Sequence, residues 1–244
     1  MLLPLIATFF SSIVSLLAAG FVVMRGNLRH RFSMELSSLA AGVLLTTATL
    51  HLIPEALEEG LSVEMLGAGI LGAIMVFFVL ERLVIWVHHH HEVEGPHPSA
   101  WLVTLGDALH NLMDGFAIAS AFQIDVKLGI FTALAIAAHE LPHEIADFIV
   151  LLQSGLKQSR ALALNLLSAG TAFVGVIVGT YFGETFEGFL PLTLAASGGM
   201  FLYIALSDII PELHSHEHGK PWTQILFFFA GVGVVYLLNQ LLHV

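Results

Sequence analysis

The stretch LGIFTALAIAAHELPHEIADF (128–148) begins as an apolar run and ends in a dense set of histidines and carboxylates. It is too long for a strand and shows no alternation of apolar and polar residues, so it predicts a helix. The apolar half suits a bilayer, but a charged residue near the centre of a membrane helix costs about 2.5–3.5 kcal/mol. We therefore expect a membrane-spanning helix whose polar face meets another helix or a wet cavity.

The composition extends this interpretation to the whole chain. Of its 244 residues, 57% are hydrophobic and 11% are charged, whereas a soluble domain carries about 25% charged residues. In lipid only helices and closed barrels satisfy their backbones, and apolar runs of about 20 residues favour helices. The formal net charge of −11 argues against nucleic acid as a partner and favours cations. Because the chain has no cysteine, disulfides and thiolate metal sites are excluded.

The apolar runs predict an all-α integral membrane protein with eight transmembrane helices in a single domain, residues 1–244. The first run is interpreted as a retained span, since it lacks the basic start of a signal peptide. The predicted spans are 2–24, 34–57, 64–87, 100–122, 128–152, 161–183, 189–212 and 222–243.

Lysine and arginine predict the orientation of these spans. In an eight-span arrangement seven of the eight basic residues fall on one side, and only Lys127 falls on the other. Positive residues favour the cytoplasmic side, so both ends of the sequence are expected on the non-cytoplasmic side.

The fourth span, DALHNLMDGFAIA (107–119), carries a polar stripe at helical spacing. Asp107, His110, Asn111 and Asp114 stand at i, i+3, i+4 and i+7, so they share one face.

The fifth span repeats this pattern at matching depth. Its polar residues are His139, Glu140, His143, Glu144 and Asp147. Antiparallel packing would bring the two stripes together near the middle of the bilayer, because each lies about half a span from its end. Imidazole and carboxylate are ligands for zinc, iron(II) and manganese. The sequence therefore predicts a metal centre between helices 4 and 5, against the alternative of a buried hydrogen-bond network.

Two further pairs predict the ends of a transport pathway. His51 and Glu55 lie four residues apart near the outer end of the second span, and Asp208 and Glu212 lie four apart near the inner end of the seventh. For His51, an interhelical hydrogen bond is the equally weighted alternative.

Prolines stand next to these polar positions. A proline inside a helix frees the carbonyl four residues earlier. Pro54, Pro142 and Pro211 would thus open the helix beside His51, His139 and Asp208 respectively.

A histidine-rich tract falls in the predicted cytoplasmic loop at about 88–98. Such a tract binds zinc or nickel loosely, or serves only as a polar spacer. Its four consecutive histidines are His88, His89, His90 and His91.

The motifs HNLMDG (110–115) and HELPHE (139–144), together with LHLIPE (50–55) and LYIALSDIIPEL (202–213), resemble the ZIP family of zinc and iron transporters. The resemblance implies an eight-helix fold with a two-metal centre between helices 4 and 5, and metal movement toward the cytoplasm. By position in those motifs, the shared metal-centre residues are His110, Asp114, Glu140 and His143.

The resemblance also implies a second metal position. Asn111 and His139 would complete it, and Glu144 extends the same group. In some members a carboxylate of the sixth helix contributes, but the sixth span here has none in its interior, so Asn165 or Ser168 would stand in its place.

The alternative function is an intramembrane zinc metalloprotease, because HELPH fits the H-E-x-x-H pattern of two ligands and a glutamate base. A protease does not require the second polar helix or polar groups near both faces, and Pro142 would disturb the spacing of the two histidines. A zinc-dependent receptor or sensor is a third class. We expect a transporter rather than an enzyme.

Several properties follow from this expectation. Zinc is the expected substrate and bound ion, although the same ligands suit Fe²⁺, Mn²⁺ and Cd²⁺. The membrane is expected to be the plasma membrane or a bacterial inner membrane. Gly175 and Gly179 suit close helix packing within one protomer or between two, so a homodimer is one of the arrangements that the sequence allows.

Overall fold

A computed structural model describes residues 1–24, 29–90, 98–186, 188–215 and 221–242. These ranges contain helices and short connections and no strand, which confirms the all-α fold class. The helices are α1 (2–24), α2 (29–58), α3 (Val63–His90), α4 (Pro98–Ile124), α5 (Val126–Gln153), α6 (Gln158–Thr185), α7 (189–215) and α8 (Pro221–Leu242). They follow the eight predicted spans in order, with bounds that differ by a few residues; position 243 lies outside the described residues.

Five helical stretches in the described part of the chain are long and apolar enough to cross a membrane. They are Leu2–Phe21, Met34–Glu58, Val63–Leu83, Gln158–Thr185 and Phe189–Ser207. α4 and α5 are long enough, but their histidines and carboxylates lower their mean hydropathy. In α8 the apolar stretch Pro221–Leu237 is shorter.

α4 and α5 form a tight antiparallel pair because a single residue, Asp125, separates them. Its carboxylate accepts hydrogen bonds from the backbone N–H groups of Lys127 at 2.7 Å and Leu128 at 3.2 Å, so it caps the start of α5. With so short a connection, residues equally far from the turn lie opposite each other. The polar stripes of the two helices are therefore adjacent.

Three helices contain a wider, π-helical turn. These segments are Phe9–Val14 in α1, Ala48–Leu52 in α2 and Ile204–Ile209 in α7. The second contains His51 and precedes Pro54, and the third contains Asp208 and precedes Pro211. Wider turns of this kind are frequent at functional sites. The second and third occur where Pro54 and Pro211 predicted an opened helix, whereas the first was not predicted. The prediction for Pro142 was wrong, because α5 remains one helix through that residue.

Glycines bring three pairs of helices into backbone contact. A Cβ added at Gly115 would lie 2.1 Å from the Ala172 carbonyl oxygen, and one at Gly175 would lie 2.2 Å from that of Leu112, so α4 and α6 touch. Gly42 makes a similar approach from α2 to α8, and Gly199 from α7 to α3. Gly175 thus packs within the protomer, and the homodimer stays a prediction.

α5 occupies the interior, where it contacts α1, α2 and α4. α3 lies at the periphery, because most residues of its apolar stretch Val63–Leu83 are exposed at the protein surface. Its outward side chains, such as Leu71, Met75 and Phe78, are large and apolar, as expected of a surface that lipid would cover.

Candidate metal centre

Four side chains at the α4–α5 contact form what we call the central cluster: His110, Asp114, His139 and Glu140. The Nε2 atoms of the two histidines lie 3.0 Å apart. Asp114 Oδ2 is 3.3 Å from Nε2 of His139 and 3.6 Å from that of His110. Glu140 Oε1 is 3.4 Å from Nε2 of His110 and 3.6 Å from that of His139. All four residues are buried.

These distances match the edges of a metal coordination sphere. With zinc–ligand bonds of about 2.0–2.1 Å, the ligand atoms of a tetrahedral site lie roughly 3.3 Å from one another. Two imidazole nitrogens and two carboxylate oxygens form an accepted donor set for zinc, iron(II) and manganese. The central cluster therefore has the chemistry and the spacing of a divalent cation site.

The bonding of the two carboxylates supports the same assignment. Asp114 and Glu140 are 0% exposed, and in the part of the chain that the structure describes none of their four oxygens has a hydrogen-bond partner. The neighbouring imidazole nitrogens, at 3.3–3.6 Å, lie beyond ordinary hydrogen-bond length. Buried carboxylates without hydrogen bonds are costly, and a bound cation would offset that cost.

A second group, which we call the inner cluster, lies one helical turn away along both helices. It consists of Asp107, His143 and Asp147, whose ligand atoms lie within 4.8 Å of one another. The His110 and His143 rings are stacked with their centroids 4.9 Å apart, so the two clusters adjoin.

The structure thus distributes the expected ligands differently from the sequence prediction. His143 joins the inner cluster, and His139 takes the place beside His110, Asp114 and Glu140. Asn111 donates hydrogen bonds to Asp107, at 2.9 Å to Oδ1 and at 3.2 Å to the carbonyl oxygen. It supports a ligand of the inner cluster in this geometry.

Polar side chains of α6 lie near α4, since the Thr171 hydroxyl donates to the Ala108 carbonyl oxygen. Glu144 of α5 is buried, and neither of its carboxylate oxygens has a hydrogen-bond partner among the described residues. On α6 the Ser168 hydroxyl donates to the backbone carbonyl oxygen of Asn165 at 3.0 Å. Both α6 residues are themselves buried. That Asn165 or Ser168 replaces a carboxylate of the sixth helix stays a prediction from the resemblance.

Comparison with known proteins identifies the family of this chain. A profile described as ZIP zinc transporter matches residues 88–239. The chain belongs to the ZIP family. The similar proteins in this family are named as zinc transporters and not as enzymes. The protein is an integral, multi-pass membrane protein.

Three similar proteins illustrate the match. The chain is 46% identical over 135 residues to zinc transporter ZIP4 of Mus musculus, which covers 55% of this chain and 20% of that protein. It is 45% identical over 125 residues to zinc transporter ZIP10 of Homo sapiens, covering 49% and 15%. Metal cation symporter ZIP14 of Xenopus tropicalis is 41% identical over 138 residues, covering 54% and 29%. The matched region is thus a minor part of each of these longer proteins.

Two aromatic residues that the sequence analysis did not single out touch the central cluster of this ZIP chain. Phe77 of α3 packs at 84° to His110 with centroids 5.9 Å apart, and Phe201 of α7 packs at 65° to His139 with centroids 5.5 Å apart. Nothing in an apolar helix distinguishes such a residue from ordinary core, so only the packing reveals it.

The predicted outer pathway residues lie apart from both clusters. His51 is buried and stacks on Phe131 of α5, with centroids 4.9 Å apart, and its Nε2 has no hydrogen-bond partner among the described residues. Phe131 precedes His139 by eight residues on the same helix, or about 12 Å. Glu55 is half-buried, with Glu58 among the acidic groups near it.

The inner pathway residues and the histidine tract fall largely outside what the structure describes. Asp208 and Glu212 are on helical backbone in α7, but their side chains are not among the described ones. α3 continues through His90, so His88, His89 and His90 lie on helical backbone rather than in the predicted loop. His91 lies outside the described residues.

Proposed function

We propose that this chain carries divalent transition-metal ions, with zinc as the expected cargo, across a bilayer toward the cytoplasm through the central cluster. The supporting observation is the coordination-like spacing of two imidazoles and two carboxylates, together with four buried carboxylate oxygens that lack hydrogen bonds. Relatives named as zinc transporters support the choice of cargo. The same donors also suit Fe²⁺, Mn²⁺ and Cd²⁺.

The position of the cluster fits a passage through the membrane. His110 lies midway along the 27-residue α4, and His139 lies midway along the 28-residue α5. If all eight helices cross the bilayer, as we propose, an ion at this depth is far from both aqueous phases. Ligands from the protein must then replace its hydration shell.

The stepwise arrangement of polar groups suggests a route. We propose entry past Glu55 and His51, dehydration at the central cluster, and transfer to the inner cluster, where Asn111 orients Asp107. Glu144, the residue after His143, places a further buried carboxylate beside this step. Exit would follow Asp147, Asp208 and Glu212 toward the histidines at 88–91.

The direction and the organisation are part of the same proposal. Seven of eight basic residues fall on one side of an eight-span chain, which favours that side as cytoplasmic and both ends of the sequence as non-cytoplasmic. Residues 1–244 are proposed to act as one transport domain in a plasma or bacterial inner membrane, with a homodimer as a further hypothesis.

The geometry of HELPH argues against the protease alternative. In an H-E-x-x-H enzyme both histidines bind the same zinc and the glutamate acts as a base. Here His139 and Glu140 belong to the central cluster, and His143 belongs to the inner cluster. The two histidines therefore serve different positions.

Zinc uptake into proteoliposomes tests the proposal. We expect saturable uptake by the full chain and loss of most of it in His110→Ala and in His143→Ala, one variant for each cluster. Glu64→Ala, which removes a carboxylate from the exposed start of α3, is the control and should retain uptake. Undiminished flux in both histidine variants would refute the site, and cleavage of a membrane substrate that depends on Glu140 would favour the protease instead.

A further inference from the structure

α3 and α7 meet along one side of the metal centre, and a glycine sets their separation. A Cβ at Gly199 would lie 2.6 Å from the Ile70 carbonyl oxygen, so the two backbones are in contact there. Tyr203 follows Gly199 by one turn, and Phe77 follows Ile70 by two turns, so these aromatic residues meet just beyond the contact. The centroids of their rings lie 6.4 Å apart.

The aromatic side chains on this side form what we call the aromatic wall: Phe77, Phe201 and Tyr203. Phe77 contacts the ring of His110, and Phe201 contacts the ring of His139. Each histidine of the central cluster therefore has one member of the wall against it. Phe77 and Phe201 are buried, with exposures of 8% and 0%.

The two histidines are held in different ways. His139 Nδ1 lies 3.1 Å from the Ala135 carbonyl oxygen, one turn earlier in its own helix, and this contact fixes the ring. His110 is flanked by the rings of Phe77 and of His143. Because the χ2 torsion of histidine has broad minima, packing against such neighbours decides where its Nε2 points.

A hydrogen bond anchors the wall to α3. The Tyr203 hydroxyl donates to Oε2 of Glu81, one turn beyond Phe77. The Glu81 carboxylate is exposed on the protein surface, and within a membrane helix such a group is costly unless a partner compensates it. The bond to Tyr203 supplies a partner and joins α7 to the helix that carries Phe77.

We propose that the aromatic wall is a positioning device for the metal ligands: Phe77 sets the orientation of the His110 imidazole, Phe201 supports the His139 ring that the Ala135 carbonyl oxygen already holds, and the Tyr203–Glu81 hydrogen bond holds Phe77 in place. This inference rests on the proposed function and adds residues that support the ligands of the same site. Such supports commonly matter, because metal affinity depends on how firmly the ligands are pre-oriented.

Co²⁺ is a suitable probe, since its visible absorption reports the geometry of its ligands. We expect Tyr203→Phe, Glu81→Ala and Phe77→Leu in the purified full chain to change this spectrum and to weaken Co²⁺ binding by about 2- to 10-fold, the range of one lost aromatic contact. Glu81→Gln keeps an acceptor for the Tyr203 hydroxyl and should behave like wild type. In zinc uptake, the KM should rise more than the maximal rate falls.

Matched controls separate positioning from general packing. Tyr181→Phe removes a hydroxyl from a tyrosine that is 63% exposed, and Phe78→Leu shortens a ring that is 51% exposed next to Phe77. Both should leave the Co²⁺ spectrum and affinity unchanged. The double variant Tyr203→Phe/Glu81→Ala should be no worse than either single variant, because both break one bond.

The outcomes distinguish this inference from the proposed function. If His110→Ala abolishes Co²⁺ binding while Phe77→Leu and Tyr203→Phe keep the wild-type spectrum and affinity, the positioning role is refuted and the metal site stands. If wild type shows no Co²⁺ binding that depends on His110, both are overturned. Loss of thermal stability in the wall variants with an unchanged spectrum would assign the wall to core packing alone.

Discussion

α4 has two faces that differ sharply, although two consecutive residues of the helix lie on them. Asp114 points toward α5 and the central cluster, and Gly115 lies against α6. On the α6 side the backbones touch, with Gly115 against Ala172 and Gly175 against Leu112. Close approach of this kind replaces the hydrophobic effect as the source of helix association in a membrane.

On the α5 side the same helix leaves polar atoms under-bonded. The buried oxygens of Asp114 and Glu140 lack hydrogen bonds within the described structure, although the Nε2 atoms of His110 and His139 lie within hydrogen-bond distance of each other, at 3.0 Å. An arrangement of this kind does not stabilise a fold, because buried polar groups without partners are costly. It is suited to an ion, so under the proposed function the α6 side holds α4 in place while the α5 side binds the metal.

The largest expected effect is a loss of stability when the α4 face that packs against α6 is disrupted. In Gly115→Ala the new methyl group would meet backbone atoms of α6 that cannot rotate away. We expect a loss of about 3 kcal/mol or more, the upper end of overpacking costs. That would lower Tm by roughly 6–12 °C for a domain of this size, measured by thermal unfolding in detergent.

Gly67→Ala is the control for that substitution. Gly67 is also in a helix, but a Cβ there would meet nothing within 4 Å, so its Tm should be unchanged or slightly higher. Equal Tm values for Gly115→Ala and Gly67→Ala would contradict the structural role given to the α4–α6 face.

A substitution in the polar contact between α4 and α5 should instead remove the stabilisation by zinc. At a zinc concentration a hundredfold above Kd, binding adds about 2.7 kcal/mol to the stability of wild type, or roughly 5–11 °C in Tm. Glu140→Gln keeps the side-chain shape but loses an anionic ligand, so at the same zinc concentration most of this increase should disappear.

Glu64→Gln makes the same chemical change at an exposed position and should retain the full zinc-induced increase. A Glu140→Gln protein whose Tm still rises with zinc as in wild type would show that the central cluster is not where the ion binds.

The smallest effect is expected at the inner end of the polar face. Asp107→Asn preserves an oxygen that can accept from Asn111 but removes one anionic ligand of the inner cluster. We expect zinc uptake to slow by roughly tenfold, with little change in the zinc-induced rise of Tm. Loss of that rise would mean that the two clusters bind a single ion together and are not successive positions.

Much of this fold could be predicted from the chain because lipid imposes simple rules. Apolar runs of helix length predicted the order of α1 to α8, and the polar spacing predicted one stripe on α4 and another on α5. The contact between them was also predicted, because antiparallel spans with polar stripes at matching depth bring those stripes together; in the structure the connection is shorter than predicted and consists of Asp125 alone. The prediction of a loop at residues 88–90 was wrong, since α3 continues through His90.

The sequence by itself therefore determined which helices carry the candidate ligand side chains, because helical period fixes the face on which a residue lies. Only the tertiary structure decided how these side chains are shared: His139 with the central cluster, His143 with the inner cluster, and Asn111 as support for Asp107. It alone also brought Phe77 and Phe201 against the two histidines. The physical reason is that helical period says nothing about which helix packs against that face or how each side chain rotates, and these are settled by the packing of neighbouring helices.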